Sequence, residues 1–382
     1  MVGSAQVAFH TTKLPVADIS LLGTERQQEL MDVWDFAFST YGFVLMVNHG
    51  LDEKYVTFEK ECQAFFKHSL ENKMKCSAGK QYGHGGYAPQ GVESVSASGG
   101  NKKVRPADAV ENICANHGDF RYFPGKTAGK DITQYHADKG PLLSEIKDDV
   151  FPDCQFRREG EELYFELRKI LLDVMRLSAL VLNIDENFFY EKGGYDKPNA
   201  IIRVSHYLET DNKIRKPQDE SEMQLRYGEH TDYTGFTLLW RNQTNGLQCR
   251  NPFYKKTDEE VKTMLKGRAA DVSTENEWID ILVDEQHPHT LVVNAGDLLH
   301  RWTNDYFVSN LHRVVDVDSD PRFASEVKKS EGKEPISVVF FTGPDDDTIC
   351  ETVPSDKIPQ EKKYEPVLTR DYLWKKVNNS RV

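Results

Sequence analysis

His230-Thr231-Asp232, followed much later by His312 in the run Leu311–Val314, constrains this chain more than any other feature. Two histidines and one carboxylate can hold one face of an octahedral metal ion. The opposite face then stays open for dioxygen and an organic ligand, an arrangement that suits non-haem iron rather than zinc or magnesium. The spacing also dictates secondary structure. In an extended strand residues i and i+2 project from one face, so His230 and Asp232 can grip one ion together. His312 must then arrive from a neighbouring strand, and the fold must lay two segments distant in sequence side by side.

The chain reads as helices first and strands later. A helix is expected from Thr24 to Tyr41, where Leu30, Val33, Trp34, Ala37 and Phe38 recur at helical spacing. A second is expected from Asp52 to Ser69, and a third, the longest, from Arg158 to Leu182. From Ala200 onward, short β-branched and aromatic runs alternate with Gly, Asn and Asp, which marks a strand-rich region. This pattern suggests an α+β fold: a double-stranded β-helix, or jelly roll, with flanking helices. Residues 1–199 are expected to form a mainly helical region packing on the sheet. Residues 200–350 would form the jelly-roll core and residues 351–382 a C-terminal segment, all in one compact unit. Three polar or Ser/Gly-rich stretches look like mobile insertions: Gly91 to Gly100, Phe253 to Asn276, and Asp316 to Glu334. At least one is expected to border the mouth of a pocket.

The segments around the triad form an ordered series: Tyr227–Trp240, Asn245–Gln248, Leu291–Asp297, Arg301–Asn304, Leu311–Val314 and Ile336–Phe341. In this order they resemble the iron- and 2-oxoglutarate-dependent dioxygenases of the isopenicillin N synthase-like family. Leu14–Ser20 resembles that family's opening strand, and Tyr41–Gly50 its segment ending in Asn-His-Gly. Phe65-Phe66 with Glu71–Lys75, then Gly85–Tyr87, fit the helix, turn and glycine-tyrosine loop that follow. The resemblance spans nearly the whole chain and is specific as a set. An isolated H-x-D would be read as a surface pair; the ordered series weighs against that.

The resemblance implies Fe(II) on His230, Asp232 and His312, with 2-oxoglutarate as cosubstrate and O2 as oxidant. It also implies that the Tyr207 hydroxyl and Ser337 hold the far carboxylate of 2-oxoglutarate. In one respect the chain departs from the family. The usual pattern is Arg-x-Ser, whose guanidinium clamps that carboxylate as a bidentate fork, and here Pro335 occupies the arginine position. Arg322 is the leading substitute, with Lys333 and Arg241 as further candidates. Arg203, four residues before Tyr207, shares its face in a strand and either lines the pocket or serves as a structural partner. His49 reads as a structural turn residue. His206, His287, His289 and His300 read as core or surface histidines, with His206 standing next to Tyr207.

The implied activity is oxidation of an unactivated C–H of a small molecule, by hydroxylation, desaturation or oxidative ring closure, in specialised metabolism. Two alternatives stay open. One is an oxygen-dependent oxidase on the same scaffold that does not use 2-oxoglutarate, to which Pro335 points. The other is a non-catalytic ligand-binding protein, against which the intact triad argues. Arg203, Arg226 and Arg241 favour a substrate carrying a carboxylate.

Charge narrows the partners. The chain has 61 acidic against 48 basic residues, a net charge of -13, which argues against binding nucleic acid through its phosphates. No apolar run approaches the roughly 18 residues of a membrane span. The first residues lack the basic start and apolar core of a secretory signal. The six cysteines are scattered, as expected of reduced thiols in a cytoplasmic protein.

Overall fold

The strands sort their side chains by alternation, and that sorting builds the layers. The computed structural model describes residues 9–10, 14–77, 86–92, 95, 106–116, 155–191, 199–212, 222–242, 246–268, 270–282, 286–316 and 334–379. In chain order the strands are β1 (Phe9–His10), β2 (Val16–Asp18), β3 (Phe43–Val47), β4 (Gly86–Ala88), β5 (Val110–Asn116), β6 (Asn199–Tyr207), β7 (Tyr227–His230) and β8 (Phe236–Arg241). They continue as β9 (Leu247–Arg250), β10 (Ala270–Asp271), β11 (Trp278–Asp280), β12 (Leu291–Ala295), β13 (His312–Val314), β14 (Ile336–Gly343), β15 (Ile349–Cys350) and β16 (Val367–Leu368). An eight-stranded sheet runs β2-β3-β12-β8-β14-β6-β5-β4, and a four-stranded sheet runs β11-β9-β13-β7. The fold is α+β, with mixed sheets and several helices.

Odd and even residues of the large sheet enter different cores. On one face, Val44 and Met46 of β3, Leu238 and Trp240 of β8, Val338 and Phe340 of β14, and Ile202 and Val204 of β6 pack with the helices. On the other face, Phe43, Leu45 and Val292 meet Leu247, Cys249, Ile279 and Val314 of the small sheet. Helices, large sheet and small sheet therefore form three layers, as a strand buried on both faces requires.

The helix Gln155–Val181 carries apolar residues along one side, with Leu163, Leu167, Leu171, Val174 and Leu177 buried against the large sheet's helix face. The helix Asp52–Phe66 packs beside it through Phe58, Cys62 and Phe65. The helix Gln27–Phe36 continues into a wide turn over Ala37–Tyr41, closed by the Gly42 amide donating to the Ala37 carbonyl at 2.9 Å. Gly42 has φ of 69°, and a Cβ there would lie 1.9 Å from the Val308 carbonyl oxygen, so only glycine fits.

The N-terminal region does more than supply helices. It contributes β2, β3, β4 and β5 to the large sheet. β3 is apolar at every position and buried on both faces, which is what a central strand needs and what a periodicity search for helices passes over. Phe253 to Asn276 is built rather than irregular. It contains the helix Asp258–Leu265, opened by a capping box between Thr257 and Glu260, and it buries Phe253 and Leu265 against the inter-sheet core. Most of Gly91 to Gly100 and all of 317–333, including Arg322 and Lys333, lie outside the described residues. Among the described residues no helix is long and apolar enough to cross a membrane.

Candidate metal centre and adjoining cavity

β7 and β13 are hydrogen-bonded neighbours, and their register sets His230 opposite His312. The strand ends at His230, and the chain then loops through Asp232. The Asp297 amide holds this loop from outside by donating to the Asp232 carbonyl at 2.7 Å. Gly296 lets the two segments approach: a Cβ there would lie 2.5 Å from the Thr234 carbonyl oxygen. Asp297 also accepts from Thr231 (3.1 Å), Ser309 (2.7 Å) and Lys376 (2.6 Å), tying loop and C-terminal helix Thr369–Asn379 together.

One donor atom from each of His230, Asp232 and His312 lies within 4.8 Å of the others, and all three side chains are buried. Asp232 Oδ1 stands 3.7 Å from His230 Nε2 and 3.6 Å from His312 Nε2. Each of these two separations is below about 4.2 Å, twice the usual nitrogen or oxygen ligand distance of about 2.1 Å, so Asp232 can share an ion with either histidine. The rest of each side chain is committed elsewhere. His230 Nδ1 lies 2.8 Å from the Gly228 carbonyl, and His312 Nδ1 lies 3.2 Å from the Asn310 carbonyl. A carbonyl only accepts, so the proton sits on Nδ1 and the Nε2 lone pair faces the centre. Burial, reinforced by the neighbouring His312, pulls the pKa of His230 down to about 3, so its imidazole is neutral at physiological pH.

Asp232 is oriented by two residues that the sequence reading did not single out. Thr237 Oγ1 donates to its Oδ2 at 2.6 Å and Asn294 Nδ2 donates to the same oxygen at 2.7 Å. Thr237 and Asn294 are direct cross-strand partners on β8 and β12, and both point into the inter-sheet space. Burial works against the charged carboxylate, but His312, His230 and these two donors outweigh it and lower the pKa of Asp232. The available signal was a polar residue interrupting an otherwise apolar buried strand, as Asn294 does in Leu291–Ala295.

A small cavity is lined by Tyr207, Arg241, Leu247, Val314, Pro335 and Ser337, with Val314 two residues beyond His312 on β13. The Tyr207 hydroxyl and Ser337 Oγ lie 2.8 Å apart. The structure thus brings Tyr207 and Ser337 together, with Pro335 on the same wall. Arg226 also lines the cavity, paired with Asp316 at 3.1 Å. The Arg203 guanidinium instead lies over the Tyr227 ring at 5.3 Å. His49 is a turn residue, between Asn48 and Gly50 with positive φ, and its Nε2 lies 2.8 Å from the His289 carbonyl. His206 points to the helix face, where its Nδ1 meets Glu111 Oε1 at 2.8 Å.

Two family models match the chain. That of the 2OG-Fe(II) oxygenase superfamily matches residues 198–344, and that of the non-haem dioxygenase in morphine synthesis N-terminal region matches residues 14–118. The chain belongs to the 2OG-Fe(II) oxygenase superfamily. This oxygenase is 25% identical over 382 residues to the 2-oxoglutarate-Fe(II) type oxidoreductase ppzC of Metarhizium rileyi, covering 96% of this chain and 87% of that one. The 2-oxoglutarate-Fe(II) type oxidoreductase hxnY of Emericella nidulans is 29% identical over 227 residues. That match covers 58% of this chain and about half of hxnY, 52%. A full-length Neurospora crassa protein crystallised in complex with alpha-KG has the same fold, with a TM-score of 0.69 at 24% identity over 96% of each chain. The oxygenase is an oxidoreductase whose cofactors are Fe(II), 2-oxoglutarate and O2.

Proposed function

We propose that His230, Asp232 and His312 hold Fe(II), and that the adjoining cavity takes 2-oxoglutarate with its far carboxylate near Tyr207 and Ser337. The observation that carries this reading is the convergence of two Nε2 atoms and Oδ1, each with its remaining polar atoms tied to the protein. Bound iron, with 2-oxoglutarate and O2, supplies the oxidising chemistry that converts a C–H to an alcohol, with succinate and carbon dioxide as co-products; desaturation or ring closure are variants of that oxidation. The protein's own contribution is positional. Thr237 and Asn294 fix which carboxylate oxygen faces the centre, the Gly228 and Asn310 carbonyls fix the imidazole tautomers, and the apolar inter-sheet core excludes water.

The two facing sheets are proposed to be a double-stranded β-helix, supported by the facing of β9 and β13 toward β3 and β12 across one core. The substrate is proposed to be a small organic molecule of specialised metabolism. Its carboxylate, expected from Arg203, Arg226 and Arg241, loses support because those arginines are engaged beside Tyr227 or gathered at the oxoacid cavity. A cytoplasmic setting is supported by buried cysteines outside any disulfide at Cys62, Cys76, Cys249 and Cys350.

The test is succinate formation from 2-oxoglutarate across a panel of small-molecule substrates, with Fe(II) and ascorbate. Succinate should form in proportion to oxidised product. Product formation that continues without 2-oxoglutarate would replace this reading with the oxidase alternative.

A further inference from the structure

The family's arginine is replaced by Pro335, yet the cavity is not short of positive charge. Arg241 closes β8 on its inner face, two residues after Leu239 and four after Thr237, which also point into the inter-sheet space. Its cross-strand partner on β14 is Ser337, the residue whose hydroxyl meets Tyr207. The guanidinium therefore enters the same cavity from the strand next to the expected one. Pro335 lines that cavity too.

The Arg241 side chain is only 6% exposed. One nitrogen, Nη2, donates to the Ile281 carbonyl, which pins the group in place. Nε and Nη1 have no hydrogen-bond partner, and Arg241 forms no ion pair among the described residues. Asp280 attracts the guanidinium only from beyond ion-pair distance, so burying it with two unmade hydrogen bonds is costly unless an anion completes it. Arg226, by contrast, already faces Asp316 at 3.1 Å. The distance to the triad is also suitable. Val314, on the cavity wall, lies two residues beyond His312 on β13, about 6.6 Å along a strand rising about 3.3 Å per residue. A short dicarboxylate held at one end by the metal centre can present its other end here.

We propose that Arg241 grips the far carboxylate of 2-oxoglutarate, taking over from the neighbouring strand the role that Pro335 cannot fill. This rests on the reading that the enzyme binds 2-oxoglutarate beside the triad. One of the free Arg241 N–H groups, on Nε or Nη1, donates to the carboxylate, and the Tyr207 and Ser337 hydroxyls complete the carboxylate's remaining lone pairs. The charge expected from Arg322 is then already present within the described cavity.

The experiment compares two ligands on the anaerobic, Fe(II)-loaded enzyme by calorimetry: 2-oxoglutarate, and 2-oxopentanoate, which has the same chelating end but no far carboxylate. Wild type should prefer 2-oxoglutarate by at least about tenfold, or about 1.4 kcal/mol. Arg241→Met should erase that preference by weakening 2-oxoglutarate alone, leaving 2-oxopentanoate affinity unchanged. Should that variant fail to fold, Arg241→Gln carries the same expectation. Either folded variant that keeps the wild-type preference overturns the anchor while leaving the 2-oxoglutarate reading intact. A wild-type enzyme without any preference for 2-oxoglutarate overturns the reading itself, and the anchor with it.

Discussion

His206 and Tyr207 are adjacent on β6, and alternation sends them to opposite faces of the large sheet, into two different kinds of buried polar chemistry. On the helix face, Glu111 is saturated. Its Oε1 faces His206 Nδ1 at 2.8 Å, its Oε2 accepts from Lys73 Nζ at 2.6 Å, and the Tyr87 hydroxyl donates to Oε2 as well. Burial disfavours the Glu111 carboxylate, but His206, Lys73 and Tyr87 outweigh it and lower its pKa. On the inner face, two Arg241 nitrogens lack partners among the described residues, and the triad turns three donor atoms toward one another. Both clusters are buried and charged. Among the described residues one is complete and the other is not, and that difference separates architecture from a candidate ligand site more reliably than burial or charge does.

The contrast can be broken most decisively at Glu111. Glu111→Ala strands Lys73 as a buried, uncompensated charge, and the expected loss is about 3–5 kcal/mol of folding stability. Denaturant melts measure it; 2-oxoglutarate affinity of the folded fraction should not change. A loss below about 1 kcal/mol, within the range of an ordinary surface change, would mean that the saturated cluster is not holding the fold.

Asp232→Ala tests the other side. Metal affinity should fall by at least about a hundredfold, a larger loss than removal of a residue that only orients a ligand. The apoprotein should melt close to wild type. Wild-type iron retention in the variant would remove Asp232 from the ligand set. Asn294→Ala is expected to be milder, about ten- to a hundredfold in metal affinity, because Thr237 still holds Oδ2. Equilibrium dialysis against Fe(II) ranks the two variants, and equal losses would show that orientation matters as much as ligation.

The smallest expected effect has the opposite sign. Ligand-free Arg241→Met should be between unchanged and about 1 kcal/mol more stable than wild type, since an apolar side chain replaces a buried charge that no carboxylate contacts directly. Thermal melts with and without 2-oxoglutarate give the result directly. A clear destabilisation in the absence of ligand would put Arg241 with the architecture instead.

Sequence carried different parts of the molecule unequally. The long helix and its two predecessors were legible because their apolar residues recur at one period, and the observed helices fall within a few residues of the expected spans. Local text identified His230, Asp232 and His312, since the i, i+2 spacing and the surrounding series are both written in order. Three things were not legible in that way. β3 carries no alternation, since both its faces are buried. Phe253 to Asn276 is polar on average, yet the buried Phe253 and Leu265 anchor it. The pairings of Asn294 with Thr237 and of Ser337 with Arg241 depend on strand register, which joins residues far apart in the chain and leaves no trace in local composition.

The alternation at His206 and Tyr207 also constrains how β6 can be assembled. Sliding the strand by one residue against β5 and β14 would carry the imidazole into the cavity lined by Arg241 and Ser337 and the tyrosine into the Glu111 cluster. Neither cluster could form, so each guards the other's alignment. Single-residue insertions or deletions between Asn199 and Tyr207 should therefore be tolerated far less well than substitutions at the same positions, and the central strand acts as a ratchet with only one seated position.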